Sequence, residues 1–169
     1  PFHPTLTLRM VGEHGAVGSD EFDHQKGVFR WALGAALLLR VPAEHTQEGN
    51  VQAQVDLKLK VRGFSLLGAA YVATESAPSS RFSEQGFRAF GYQLTAAYVW
   101  GRHVAPALRF SHLVFNAPET EIKNVALALN LFATRLGLRA IIELGMLIRD
   151  IPGGYRSDIH GRIQLQWQL

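Results

Sequence analysis

The 169-residue sequence contains no cysteine, which excludes a disulfide framework, a thiolate nucleophile and any metal site built on thiolates. It is also poor in charge, with 18% Asp, Glu, Lys and Arg against about a quarter in an ordinary soluble domain. A 47% apolar content and 16 glycines exclude a disordered, highly charged tail. Long hydrophobic runs are missing as well: the longest, Trp31 to Leu39, falls well short of the roughly 18–20 residues that a membrane-spanning helix needs, so a helical membrane bundle is excluded. His3, His14, His24, His45, His103, His112 and His160 are scattered without ligand spacing, and neither a metal nor a cofactor is expected. Pro1 opens the chain without a charged-then-apolar leader. Residues 1–169 are therefore read as one domain or part of one, cut from a longer polypeptide.

What the sequence does have is strict alternation. From Val51 to Arg62 one parity reads Val51, Ala53, Val55, Leu57, Leu59, Val61 and the other Gln52, Gln54, Asp56, Lys58, Lys60, Arg62, the signature of a strand with one oily face. The C-terminal segment repeats it, with Ile159, Gly161, Ile163, Leu165, Trp167 and Leu169 set against Asp158, His160, Arg162, Gln164, Gln166 and Gln168. Phe29–Val41 and Phe90–Trp100 alternate in the same way. Pro4–Gly12, Phe64–Thr74, Ala105–Phe115, Ile122–Ala133 and Leu136–Ile148 complete a set of about nine strands, longer than the usual 5–6 residues of globular strands and of the length a tilted membrane-spanning strand requires.

Gly and Pro clusters place long connections at Gly12–Gly27, Pro42–Asn50, Glu75–Gly86, Asn116–Glu121 and Arg149–Ser157, and short ones at Arg62–Gly63, Gly101–Val104 and Thr134–Arg135. Long and short alternate through the last seven strands, the sidedness of an outer-membrane barrel. Gly12–Gly27 breaks the pattern, as a missed strand or an extended turn.

The charges are segregated. Arg9, Arg30, Arg40, Lys58, Lys60, Arg62, Arg109, Arg135, Arg139, Arg149 and Arg162 fall on the polar parity or at its ends, against only Asp56, Glu143 and Asp158, roughly +8 by the rule that alternate residues share a face. A charged side chain facing lipid costs about 2–4 kcal/mol at mid-membrane, so these bases require a wet interior, and a wet interior rich in Arg attracts anions. The alternative is a solvated sheet face with no selectivity. The apolar parity carries aromatics near strand ends, with Phe29 and Trp31, Phe90 and Tyr92, Tyr98 and Trp100, and Trp167, as expected of two interfacial girdles. The core of a soluble sandwich would also alternate, although with shorter strands.

Enzymatic signals are weak. Ser111 and His112 are adjacent on a strand and so point to opposite faces, which prevents them from acting as nucleophile and base. Gly12 and Gly15, and Gly153–Gly154, lack the strand and helix flanks of a phosphate loop. The basic residues are interleaved with wall residues, so no nucleic acid is expected as a partner.

The run Gly86-Phe87-Arg88-Ala89-Phe90-Gly91-Tyr92-Gln93-Leu94, followed by Ala105-Pro106-Ala107-Leu108-Arg109-Phe110, resembles a region of the phosphate-selective porins of the O and P type. Glu121–Arg139 resembles the next hairpin of that family, and Arg162-Ile163-Gln164-Leu165-Gln166 its closing strand. The resemblance implies a roughly 16-stranded, homotrimeric porin of which this chain would be the C-terminal part. It also implies phosphate-like solutes and a last strand read by the barrel assembly machinery. The family usually ends in Phe, whereas this chain ends in Leu169, with Trp167 and Leu165 keeping the alternating tail.

Together these readings give an all-β, antiparallel transmembrane β-barrel of about nine strands, part of a larger barrel in the outer membrane of a Gram-negative bacterium. The expected anion-lining residues are Arg30, Arg40, Lys58, Lys60, Arg109, Arg139 and Arg162, and the expected lipid-interface aromatics are Trp31, Tyr92, Tyr98, Trp100 and Trp167. The partners are small phosphate-like anions and outer-membrane lipid, and no catalytic residue is expected. A non-conducting structural barrel and a soluble lipocalin-like barrel are the alternatives.

Overall fold

Alternating segments rich in β-branched and aromatic residues pair with their neighbours in sequence, because short connections leave each strand nearest to the one before it. The computed structural model describes residues 5–14, 22–23, 29–40, 49–76, 87–101, 103–116, 119–133 and 138–167. Nine strands are present, β1 (Thr5–His14), β2 (Arg30–Arg40), β3 (Gly49–Val61), β4 (Phe64–Ser76), β5 (Phe87–Tyr98), β6 (Val104–Asn116), β7 (Glu119–Ala133), β8 (Leu138–Ile151) and β9 (Gly154–Trp167). They form a single antiparallel sheet in sequence order from β1 to β9, with no helix among the described residues. The sheet is open, since β1 and β9 are its two edges.

All eight ladders keep a constant register, from Thr5↔Arg40 to His14↔Trp31 in the first and from Leu138↔Trp167 to Ile151↔Gly154 in the last. Without a slip, one parity of every strand stays on one face. That face collects Leu33, Leu57, Val72, Leu94, Leu108, Leu127, Leu144 and Ile163, all well exposed. The other collects Lys60, Ser65, Gln93, Arg109, Asn130, Glu143 and Arg162. The sheet is curled about this polar face, and side chains from β4 to β9 close around a common recess on it.

Two expected long connections prove to be tight. Asn116 pairs with Glu119, leaving residues 117–118 as the link, and Ile151 pairs with Gly154 across Pro152–Gly153. The polar residues that suggested loops, Arg149, Asp150, Tyr155 and Arg156 among them, extend β8 and β9 instead. Pro152 fixes its own φ, and Gly153 supplies the positive φ of 110° that the turn requires. The alternation of long and short links therefore fails over the second half of the sheet, because a strand rising clear of its apolar band carries polar residues on both faces and reads locally like a loop. At Arg62–Gly63 both residues have positive φ, 51° and 88°, the geometry of a two-residue hairpin whose twist matches its strands.

Glycines on the polar face make room for bulky cross-strand partners. Gly34 lies opposite Asp56, Gly91 opposite Tyr71 and Gly145 opposite His160. A Cβ would fall 2.6 Å from Asp56 Oδ1 at Gly34 and 2.5 Å from His160 Cε1 at Gly145, and at Gly91 it would run into the Tyr71 ring. The side chain thus lies flat over the glycine, in the manner of an aromatic rescue. On the apolar face, by contrast, a Cβ at Gly68 would meet only Leu94 Cδ1, at 3.6 Å. Gly91→Ala is expected to destabilise the sheet by about 1–3 kcal/mol through overpacking, and adding Tyr71→Ala is expected to recover part of that loss. Gly68→Ala is expected to be neutral, or stabilising by up to about 1 kcal/mol. Denaturant midpoints of the three variants check the contrast.

Candidate functional site: a basic recess on the concave face

The recess has a volume of about 260 Å³ and is lined by polar-parity residues of six consecutive strands together with Phe22. Its centre is an ion cluster. Glu143 on β8, only 6% exposed, accepts from Arg109 of β6 through Oε1 at 2.8 Å and from Arg162 of β9 through Oε2 at 3.2 Å. His160 Nε2 lies 3.9 Å from Oε1. Arg162 is the direct ladder partner of Glu143, but Arg109 lies two strands away. It can reach Glu143 because the intervening strand, β7, carries only Ala126 and Ala128 on this face at that level.

Arg139 forms the second feature. Its Nε and Nη2 donate to Asn130 Oδ1 at 3.2 and 2.8 Å, and Asn130, itself buried, donates through Nδ2 to the Ala105 carbonyl at 3.0 Å. The Arg139 guanidinium stands 4.7 Å from the centre of the Phe22 ring and 5.6 Å from that of Phe132, within cation–π range. Gln93, Gln164 and Gln166 add amides to the wall.

Phe22 and Asp23 belong to the connection between β1 and β2, and sequence reasoning did not assign them a role. They are turned into the polar face. Phe22 meets Phe132 edge-on at 5.4 Å and joins Ala97, Val99, Ala105 and Ala107 in an apolar cluster. Asp23, fully buried, pairs with the Arg30 guanidinium and accepts from the Gly63 N–H at 2.8 Å. Of the Gly12–Gly27 connection, whose residues 15–21 and 24–27 lie outside the described residues, Phe22 and Asp23 contact the polar face. A lone Phe-Asp pair in a polar stretch carries no periodic signal that would have pointed to it.

The expected lining residues divide accordingly. Arg109, Arg139 and Arg162 meet at the recess. Arg30 is drawn off to Asp23, and Lys60 is buried on the same face. Lys58 lies on that face, as the ladder partner of Ala32 and Leu67. The backbone of Arg40 keeps the polar register opposite Asn50, but its side chain lies outside the described residues, as do the side chain of Arg9 and all of Arg135. Arg62 is in the hairpin turn rather than on the wall, whereas Arg156, expected in a connection, takes the polar parity of β9 beside Asp158, at 3.4 Å. Asp23, which parity did not place on this wall, offsets the charge of Arg30 there. Ser111 and His112 face opposite sides, as their ladder partners Gln93 and Tyr92 do.

No protein-family model, curated protein or solved structure matches the chain. The likeness to the phosphate-selective porins stands on its short motifs alone, which fall across β5, β6, β7 and β9.

The aromatics fall at two levels of the apolar face. Tyr98, Trp100 and Trp167 are exposed near one rim, with Trp31 half-buried at the same level, while Phe90, Tyr92 and Tyr155 are exposed near the other. Charges on this face, such as Arg88, Glu121, Lys123 and Asp150, gather at this second rim, where Asp150 is the ladder partner of Tyr155 and Lys123 pairs with Glu121 at 2.9 Å.

Because Glu143 is shared by two cations, the arginines are expected to be non-additive. Arg109→Ala or Arg162→Ala alone leaves the carboxylate paired, whereas the double variant strands a buried charge, with a coupling of about 0.5–3 kcal/mol. A double-mutant cycle on unfolding free energy measures it.

Proposed function

We propose that the chain forms part of the wall of an outer-membrane β-barrel that passes small anionic solutes along its polar face. The observation that carries this reading is the division of the two faces. An apolar band bounded by aromatics covers one face, and arginines, lysines and amides line the other. The span from Tyr155 to Trp167 on β9 corresponds to about 40 Å along a strand at ~3.3 Å per residue and to about 28 Å of height at a tilt of roughly 45°, close to the apolar thickness of such barrels. Lipid satisfies the apolar band, and water with mobile anions satisfies the cations. A lipocalin-like barrel needs the opposite arrangement, with its oily face turned inward.

In this proposal the open edges of β1 and β9 pair with further strands to close a larger barrel, since an unpaired edge in lipid leaves backbone groups unsatisfied. A roughly 16-stranded closure, homotrimer formation, phosphate as one of the anions, and engagement of β9 by the barrel assembly machinery belong to the same reading. A second reading, a non-conducting wall, is favoured by the inward position of Phe22–Asp23 and by the partial neutralisation of Arg109 and Arg162, which share the single carboxylate of Glu143.

The test is the reversal potential of the full-length polypeptide in a planar bilayer under a potassium chloride gradient. Anion selectivity is expected, reduced by Lys58→Glu and blunted as salt rises, because the Debye length is about 10 Å at 0.1 M. Cation selectivity overturns the anion reading, and absence of conductance leaves the closed wall. Independently, Leu57→Arg is expected to impair membrane assembly at a cost of about 2–4 kcal/mol near mid-bilayer, whereas Gln54→Arg on the wet parity is tolerated. Equal damage from both in an assembly assay would indicate a sheet buried on two faces.

A further inference from the structure

We infer that the recess on the polar face is a binding subsite for a small organic monocarboxylate, an anion with one charged head and a compact apolar body. The inference rests on the pore reading, for which it names a class of solute. It starts from the contrast between the floor of the recess and its flanks. Ala107 and Ala128 are direct ladder partners on β6 and β7, and Ile141 lies a diagonal step away on β8. These side chains neither donate nor accept hydrogen bonds, although they stand on the parity that is otherwise polar. Gln93 on β5 and Arg162, Gln164 and Gln166 on β9 line the two sides. Short side chains in the middle of a curled sheet, with long ones to either side, leave a trough of about 260 Å³, near the lower end of the roughly 300–1,000 Å³ of small-molecule sites. A small inorganic anion leaves the alkyl floor in water, whereas an apolar body covers it and gains from doing so.

The head group follows from the arginines. Arg162 gives Nη2 to Glu143 at 3.2 Å, and its side chain remains half-exposed at the edge of the recess. A planar guanidinium matches a carboxylate in shape, and on this face Glu143 is already met in that way by guanidinium groups from two strands. Glu143 also disfavours phosphate at this point. A phosphate group carries more than one negative charge at pH 7, and an anion held by Arg162 feels the carboxylate that Arg162 already holds, so each added negative charge is repelled by it. Gln164 and Gln166 share the face of β9 with Arg162 and offer amides to polar substituents on the solute body.

The test is calorimetric titration of the full-length polypeptide in detergent with benzoate, acetate and inorganic phosphate at one ionic strength. Benzoate is expected to bind about tenfold more tightly than acetate, through the apolar area its ring covers, and more tightly than phosphate. Ala128→Leu, which fills the floor, is expected to weaken benzoate by about fivefold or more and to leave acetate unchanged. Where that variant does not fold, Ala128→Ser makes the floor polar at nearly the same size and is expected to lower the ratio of benzoate to acetate affinity. Arg162→Gln, in which Arg109 still pairs with Glu143, is expected to weaken benzoate and acetate alike by about tenfold, the loss of a charge-assisted contact. Benzoate that binds no more tightly than acetate, phosphate that binds more tightly than benzoate, or no binding of any of the three overturns the subsite. A benzoate preference that survives both the floor variant and Arg162→Gln overturns its placement in the recess. Conductance in a planar bilayer separates the two readings: a benzoate-binding protein that does not conduct overturns the pore and leaves the subsite, whereas an anion-selective protein without the benzoate preference overturns the subsite alone.

Discussion

Continuity of register across nine strands is the constraint on which the rest of this molecule depends. Side chains alternate with a period of two, so a slip of one residue in any ladder would carry the oily parity of the following strands to the polar face and the arginines to the apolar one. None of the eight ladders contains such a slip. The tight links at Arg62–Gly63 and Pro152–Gly153 fix the registers of β3 with β4 and of β8 with β9. Where the register holds, the glycine pockets follow, because Tyr71 can cover Gly91 only if the two are direct partners.

From that constraint comes a face on which polar groups must solve one another's problems. Glu143 is largely removed from solvent, and a carboxylate in that position requires charge partners. Arg109 and Arg162 supply them from two different strands. Asn130 does the same for Arg139 while also satisfying a backbone carbonyl. These links tie β6, β7, β8 and β9 together on the side away from the apolar band. They make the polar face a structured surface with fixed cations, and not merely a solvated one.

The opposite face poses the complementary problem. On β9, Ile159, Ile163, Leu165 and Trp167 are each 70–80% exposed, and a band of this breadth far exceeds the scattered apolar residues ordinary on protein surfaces. The ring-bearing residues at its two margins and the confinement of Arg88, Glu121, Lys123 and Asp150 to one rim give the band limits that match an apolar layer with two polar boundaries.

The sequence by itself determined the strands, their face assignment and several of the cations on the polar face. These follow from a period-two pattern that is local to each strand and needs no partner to be read, and Leu57, Lys58, Tyr98, Arg109 and Arg162 all lie on the faces their parity demanded. It also overstated the loops, since Arg149–Ser157 contains polar residues that are in strand because the ladder continues beyond the apolar band. Tertiary structure alone decided which charges meet. Arg109 reaches Glu143 across a strand of alanines, and the distance between residues 109 and 143 in sequence is closed only by three strands lying side by side. It alone decided, too, that Phe22 and Asp23 turn inward, because their partners Arg30, Gly63, Phe132 and Arg139 come from four separate places in the chain. Parity assigns a residue to a face, but pairing on that face depends on the curl of the sheet and on the size of the side chains in between, and neither is written in any single strand.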